Sequence, residues 1–87
     1  VVEINQGHNK GKQKVFVDID ETICFYNGDR IYENAIPSKK NIDKINKLYN
    51  DDWEVTYYTA RGSISGEDYL DLTREQLDKW NCKYHHI

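Results

Sequence analysis

Val15-Phe16-Val17-Asp18-Ile19-Asp20-Glu21-Thr22 carries an apolar run straight into two carboxylates spaced i, i+2, with a threonine behind them. A short apolar run of this kind reads as a buried strand. A spacing of two puts Asp18 and Asp20 on one side of an extended chain. Two like charges at a strand end are costly unless a cation sits between them or they do chemistry. The pattern therefore predicts a divalent cation and a reaction at the carboxyl end of this strand.

Outward from that stretch, Ile23-Cys24-Phe25-Tyr26 and Asp29-Arg30-Ile31-Tyr32 flank Asn27-Gly28. Asn-Gly between two β-prone runs is a strong hairpin signal, because both turn positions want φ > 0. A small hairpin is expected just after the acidic motif. Pro37-Ser38 then opens a helix with Ser38 as N-cap. Ile42, Ile45, Leu48 and Tyr49 share one face of it, and Asn50-Asp51-Asp52 ends it. Trp53 to Thr59 is β-branched and aromatic and reads as a second strand. Ser65-Gly66-Glu67-Asp68 has an S-x-x-D capping pattern ahead of a helical stripe of Tyr69, Leu72, Thr73, Gln76, Leu77 and Trp80. Asn81 is the residue expected to stop that helix. Lys83 to Ile87 reads as the start of a third strand.

Strands and helices alternate, which implies crossovers and a parallel sheet. In such sheets the site lies off the carboxyl ends of the strands. Asp18 to Thr22 ends the first strand and Thr59-Ala60-Arg61 ends the second, so the two meet on one edge. Residues 1–13 (VVEINQGHNKGKQ) are expected to be a flexible lead-in with a short extended start, and residues 14–87 to be one domain.

The bulk numbers exclude some classes. Eighty-seven residues allow one small domain. The 31% of charged residues is high, but 13% are aromatic and the apolar residues cluster, which argues against disorder. A formal charge of −3 gives no global pull toward nucleic acid or anionic membrane. No apolar run approaches membrane-spanning length, and the first residues lack a signal-peptide core. Cys24 and Cys82 form no C-x-x-C pattern. Two free thiols in a reducing cytoplasm is the preferred reading, a single disulfide the alternative. Cys82, His85 and His86 have metal-ligand types, but adjacent histidines on a strand point to opposite faces.

A carboxylate pair beside a hydroxyl suits phosphoryl transfer. Asp18 could attack phosphorus and form an aspartyl-phosphate, and Asp20 could act as acid and base. Mg²⁺ would bridge Asp18 and the phosphate. Thr59 and the backbone N–H groups after it could bind the phosphoryl oxygens. Arg61 is balanced between a phosphate ligand and a solvated loop cation.

These residues reach a family. VFVDIDETIC resembles the D-x-D-x-T first motif of the haloacid-dehalogenase (HAD) superfamily, and EVTYYTAR looks like its second motif. The Asn-Gly hairpin sits where that family places its flap. The resemblance implies a three-layer, Rossmann-like α/β domain with a β-hairpin flap and no cap domain. It implies Asp18 as nucleophile and metal ligand, and Asp20 as acid/base and, through its carbonyl, a second metal ligand. Thr22 would brace the loop; Thr59, with Ala60 and Arg61, would bind phosphate; Mg²⁺ would be the cofactor. Glu21 departs from the commoner Gly at its place.

Within the superfamily, short capsule-biosynthesis-type sugar phosphatases look most similar. This chain carries the corresponding Ile45-Asn46-Lys47-Leu48-Tyr49, Thr59-Ala60-Arg61-Gly62 and Gln76-Leu77-Asp78-Lys79-Trp80. The resemblance thus implies a Mg²⁺-dependent phosphomonoesterase acting on a phosphorylated sugar or similar small metabolite. The 3′-phosphatase domain of polynucleotide kinases is the second resemblance, and there alone nucleic acid enters as a substrate. A non-catalytic remnant or binding module is the alternative from another class.

The resemblance also implies a motif Lys and a final acidic motif beyond the third strand, and the sequence ends at Ile87 before either. A C-terminally truncated domain is the expectation. Lys79 and Lys83 stand too early to serve as the motif Lys. In the superfamily a fourth strand pairs on the far side of the first. Without it, Val15-Phe16-Val17 is expected to present an open edge and a route to homo-oligomers.

Overall fold

The computed structural model describes residues 2–5 (as backbone), 13–62 and 68–87. Its elements run β1 (Val2–Asn5), β2 (Lys14–Asp18), β3 (Cys24–Phe25), a 3-10 turn (Tyr32–Asn34), β4 (Ile36–Pro37), α1 (Lys39–Asn50), β5 (Glu54–Tyr58) and α2 (Leu70–Lys79). Both predicted strands, both helices and the parallel pairing of β2 with β5 are present. Val15 lies opposite Val55, Val17 opposite Tyr57 and Asp18 opposite Tyr58. The tail continues the sheet: Thr56 and His86 form a parallel bridge, with Tyr57 N–H donating to His86 O at 3.0 Å.

Alternation along the two strands makes one face of the sheet. Val15, Val17, Val55 and Tyr57 are fully buried, and they join Ile19, Ile23, Ile42, Ile45, Leu77 and both cysteines in a single core. Both helices therefore pack on that face. Phe16 and Thr56 point the other way and are half-buried. The described residues thus build two layers, not the three expected, because no described helix covers the second face of the sheet.

The helix ends follow local chemistry. Ser38 Oγ accepts from Asn41 N–H at 3.4 Å, the N-cap expected of it. At the far end of α1, Asp52 takes φ 73, with Asp52 N–H on Tyr49 O and Trp53 N–H on Leu48 O. That pair of bonds is a Schellman cap. α2 ends the same way: Asn81 has φ 59, Asn81 N–H meets Asp78 O and Cys82 N–H meets Leu77 O. The expected capping pattern at Ser65 to Asp68 lies mostly outside the described residues, but Asp68 Oδ1 accepts from Leu70 N–H at 2.9 Å. Asn46 ties the two helices together, donating to Asn81 O and accepting from Lys83 N–H.

Two expectations need correction, the first being the open edge of Val15-Phe16-Val17. The short extended start expected of the lead-in, Val2–Asn5, is present. It forms β1, antiparallel to β2, with Val2 opposite Val17 and Ile4 opposite Val15. The sheet order is β1-β2-β5, so the edge of Val15-Phe16-Val17 is covered rather than open. Second, Asn27-Gly28 does not make a two-residue hairpin. Such a turn needs positive φ at both centres, and only Gly28 (φ 102) has it. Cys24–Phe25 pairs with Ile36–Pro37 instead, across a longer loop that holds the 3-10 turn. Tertiary contacts of Tyr26 and Tyr32, described below, hold that loop open.

Cys24 and Cys82 are both buried free thiols, not a disulfide. No described helix is long and apolar enough to cross a membrane.

Candidate active site

The carboxyl ends of β2 and β5 meet, as expected. Asp18 is the last residue of β2, half-buried, and accepts no hydrogen bond from any described residue. Ile19 N–H still pairs with Tyr58 O, after which the chain turns at Glu21. Glu21 takes φ 63, a left-handed conformation that favours glycine. Here Glu21 holds it while its side chain pairs with Arg30 at 2.9 Å on the surface. Thr22 is half-buried in this turn, and its carbonyl accepts from Asn41 Nδ2 at 2.8 Å, fastening the loop to the first turn of α1.

Asp20 is buried, and donors surround its carboxylate. Arg61 NH2 reaches Oδ1 at 2.9 Å and Arg61 Nε reaches Oδ2 at 3.1 Å. Tyr26 OH donates to Oδ1 at 2.6 Å and Thr59 Oγ1 to Oδ2 at 3.3 Å. The Cys24 thiol lies 3.5 Å from Oδ1. Burial pushes the Asp20 pKa up, but the bonds from Arg61 and Tyr26 outweigh it and hold the carboxyl below its ordinary range. Burial, reinforced by the Asp20 charge, pushes the Cys24 thiol up to about 12 and raises the Tyr26 hydroxyl likewise. Both stay neutral around an ionised Asp20.

Arg61 is the centre of the cluster. Its side chain is 0% exposed. Beyond Asp20, its NH1 donates to Thr73 Oγ1 at 3.3 Å and to Gln76 Oε1 at 2.5 Å, both on α2. Its guanidinium lies 4.9 Å from the centroid of the Tyr32 ring. Gln76 in turn donates to Tyr32 O at 2.6 Å. One arginine thus joins the loop after β2, the β3–β4 connection, the loop after β5, and α2. A buried guanidinium needs this much: a charge partner and acceptors for its N–H groups. The solvated alternative for Arg61 is excluded by its burial.

Thr59 stands beside Asp20, and its Oγ1 also accepts from Arg61 N–H at 3.1 Å. That N–H was expected to face a phosphoryl oxygen. Ala60 is exposed on the same loop. The structure therefore brings Asp20, Thr59 and Arg61 into one cluster, with Asp18 at the adjoining strand end. Tyr26, Tyr32, Thr73 and Gln76 were not anticipated. A signal existed for two of them: Thr73 and Gln76 interrupt an apolar stripe at i, i+3, and a buried polar residue there requires a partner.

The donor set can be weighed against a divalent ion. Asp18 offers a carboxylate free of donors, which suits a hard cation. The Asp20 carboxylate is committed to Arg61, leaving only its main-chain carbonyl for a metal. Among the described residues no group of three or more His, Cys, Asp or Glu converges on one point. His85 instead accepts from Val55 N–H and stacks on Tyr49, and His86 pairs with Glu54.

A cleft of about 360 Å³ opens beside the cluster, lined by Tyr58, Thr59, Arg61, Asp68, Tyr69, Leu70, Thr73 and Ile87. Comparisons with protein-family models, with curated proteins and with solved structures find no match to this chain.

Proposed function

We propose that the chain is a HAD-type phosphomonoesterase working through an aspartyl-phosphate on Asp18, with a phosphorylated sugar or similar small metabolite as substrate. The observation that supports this reading is the contrast between two carboxylates two residues apart. Asp18 is free of donors at the end of β2, as a nucleophile must be. Asp20 is fixed beside it with Thr59. On this reading Asp18 and the Asp20 carbonyl hold Mg²⁺, which when bound offsets the charge of the phosphate. Asp18 Oδ attacks phosphorus, and the ester oxygen leaves with the bonding pair. The leaving oxygen takes its proton from water, a second water opens the aspartyl-phosphate to free Asp18 and phosphate, and Asp20, held ionised and in place by Arg61, accepts the proton of that second water.

One observation favours a second reading. Both Asp20 oxygens are taken up by Arg61, Tyr26 and Thr59, an arrangement that a purely structural ion pair would also show. On that reading the chain binds without turning over substrate. An assay of p-nitrophenyl phosphate hydrolysis with and without Mg²⁺, run beside Asp18→Asn, separates the two. Mg²⁺-dependent turnover lost in Asp18→Asn supports the phosphatase. Turnover retained in that variant overturns Asp18 as the nucleophile, and no turnover in either protein favours the second reading.

A further inference from the structure

The cleft next to the Asp20–Arg61 cluster has Tyr58, the residue opposite Asp18 in the sheet, in its wall. A group esterified to a phosphate at Asp18 would therefore extend into it. Among its described lining residues two are charged, Arg61 and Asp68. The Arg61 charge is spent: its side chain is fully buried and paired with Asp20. Asp68 is exposed; one of its oxygens takes Leu70 N–H, and the other accepts nothing from a described residue. The remaining wall is aromatic and aliphatic, with Tyr58, Tyr69 and Leu70, and carries the hydroxyls of Thr59 and Thr73.

Such a lining has a definite preference. Aromatic and aliphatic walls take the C–H face of a ring. A carboxylate oxygen with room accepts hydroxyl or ammonium donors. An anion entering here meets Asp68 with no free cation among the described lining residues to offset it. The volume lies within the range usual for small-molecule sites.

Resting on the phosphatase reading above, we infer that this cleft is the leaving-group subsite. It takes an uncharged or cationic hydroxylated ring and rejects leaving groups that carry a second phosphate, with Asp68 as the discriminating residue. This excludes a polynucleotide, whose neighbouring phosphates would have to lie along the same wall.

The test compares glucose 1-phosphate with glucose 1,6-bisphosphate, which differ by one phosphate on one ring. In the full chain with Mg²⁺, kcat/KM should favour the monophosphate. In Asp68→Lys the ratio should shift by about tenfold or more toward the bisphosphate, the effect of roughly one charge contact. A binding measurement keeps the inference separate from turnover. Titrated into Asp18→Asn, glucose 1-phosphate should move the amide signals of Tyr58, Asp68, Tyr69 and Leu70, and the bisphosphate should bind more weakly. Asp18-dependent turnover with equal handling of the two sugars overturns the subsite and leaves the phosphatase reading standing. Loss of Asp18-dependent turnover on every phosphate overturns that reading. In that event, perturbation confined to residues outside the cleft, or tighter binding of the bisphosphate, overturns the subsite as well.

Discussion

Arg61 grips Asp20 through two different nitrogens, Nε on Oδ2 and NH2 on Oδ1, and the arginine side chain is wholly out of water. Removing either partner leaves the other charge buried without compensation, a loss of about 3–5 kcal/mol. Arg61→Met is therefore expected to lower the urea midpoint severely, since an 87-residue domain has little stability to spare. Arg61→Lys should rescue little, because one ammonium cannot span Asp20, Thr73 and Gln76 together. A midpoint within experimental error of the parent in Arg61→Met would contradict the burial described here.

The same pair sets an acid limit. Burial raises the Asp20 pKa, but Arg61 and Tyr26 overcome it, so the folded value is depressed. A depressed carboxyl contributes stability that is complete above its unfolded pKa, about 4. That stability is lost as pH falls through the lower, folded value. Urea midpoints measured from pH 7 downward should hold steady and then drop below about pH 4. In Asp20→Asn the midpoint should start lower and show a smaller acid-dependent fall.

β1 covers the β2 edge that would otherwise be exposed. A chain beginning at Gly7 lacks β1 and leaves the ladder groups of β2 unpaired. Unpaired edges recruit other chains. Light scattering should report a larger, concentration-dependent mass for the shortened chain than for the full one. Equal masses together with equal unfolding midpoints would show that β1 contributes nothing to the sheet.

Glu21 spends its backbone in a left-handed conformation, φ 63, at the turn that follows Asp20. Glycine there removes roughly 1 kcal/mol of strain. It also removes the exposed Arg30 contact, worth about 0.2–1 kcal/mol. Glu21→Gly should be neutral to mildly stabilising, and Glu21→Val, β-branched and unable to adopt this φ comfortably, clearly destabilising. Thermal melts of the two variants settle the order.

What was legible in the sequence was local. The caps at Ser38 and Asn81, the strands around Val15 to Val17 and Val55 to Tyr57, and the meeting of Asp18 to Thr22 with Thr59 to Arg61 all follow from short-range pattern. The illegible parts depend on distance. Asn27-Gly28 reads as a tight turn until Tyr26 and Tyr32, on either side of it, are drawn to Asp20 and Arg61. Pairing of Val2–Asn5 with β2 crosses a polar stretch with no strand signal. The burial of Arg61 runs against the usual placement of arginine, and its acceptors come from three separate segments, the loop after β2, the β3–β4 connection and α2.

Asp18 and Asp20 are the same residue type two positions apart, and substitution should separate them. Asp18 is half-buried and makes no hydrogen bond with a described residue, so Asp18→Asn loses no contact and should change stability by no more than about 0.5 kcal/mol. Asp20→Asn loses the charge that balances a buried guanidinium, and its amide turns a donor toward Arg61, Tyr26 or Thr59. It should cost about 3 kcal/mol or more. On the phosphatase reading the functional expectation runs the other way for Asp18: its loss removes the proposed nucleophile, so Mg²⁺-dependent phosphate release should vanish in a protein that remains folded. Paired urea melts and phosphate-release assays check both. A folded Asp18→Asn that still hydrolyses phosphate esters would leave Asp18 with no chemical role, and equal stability losses at the two positions would mean that Asp18 has partners of its own.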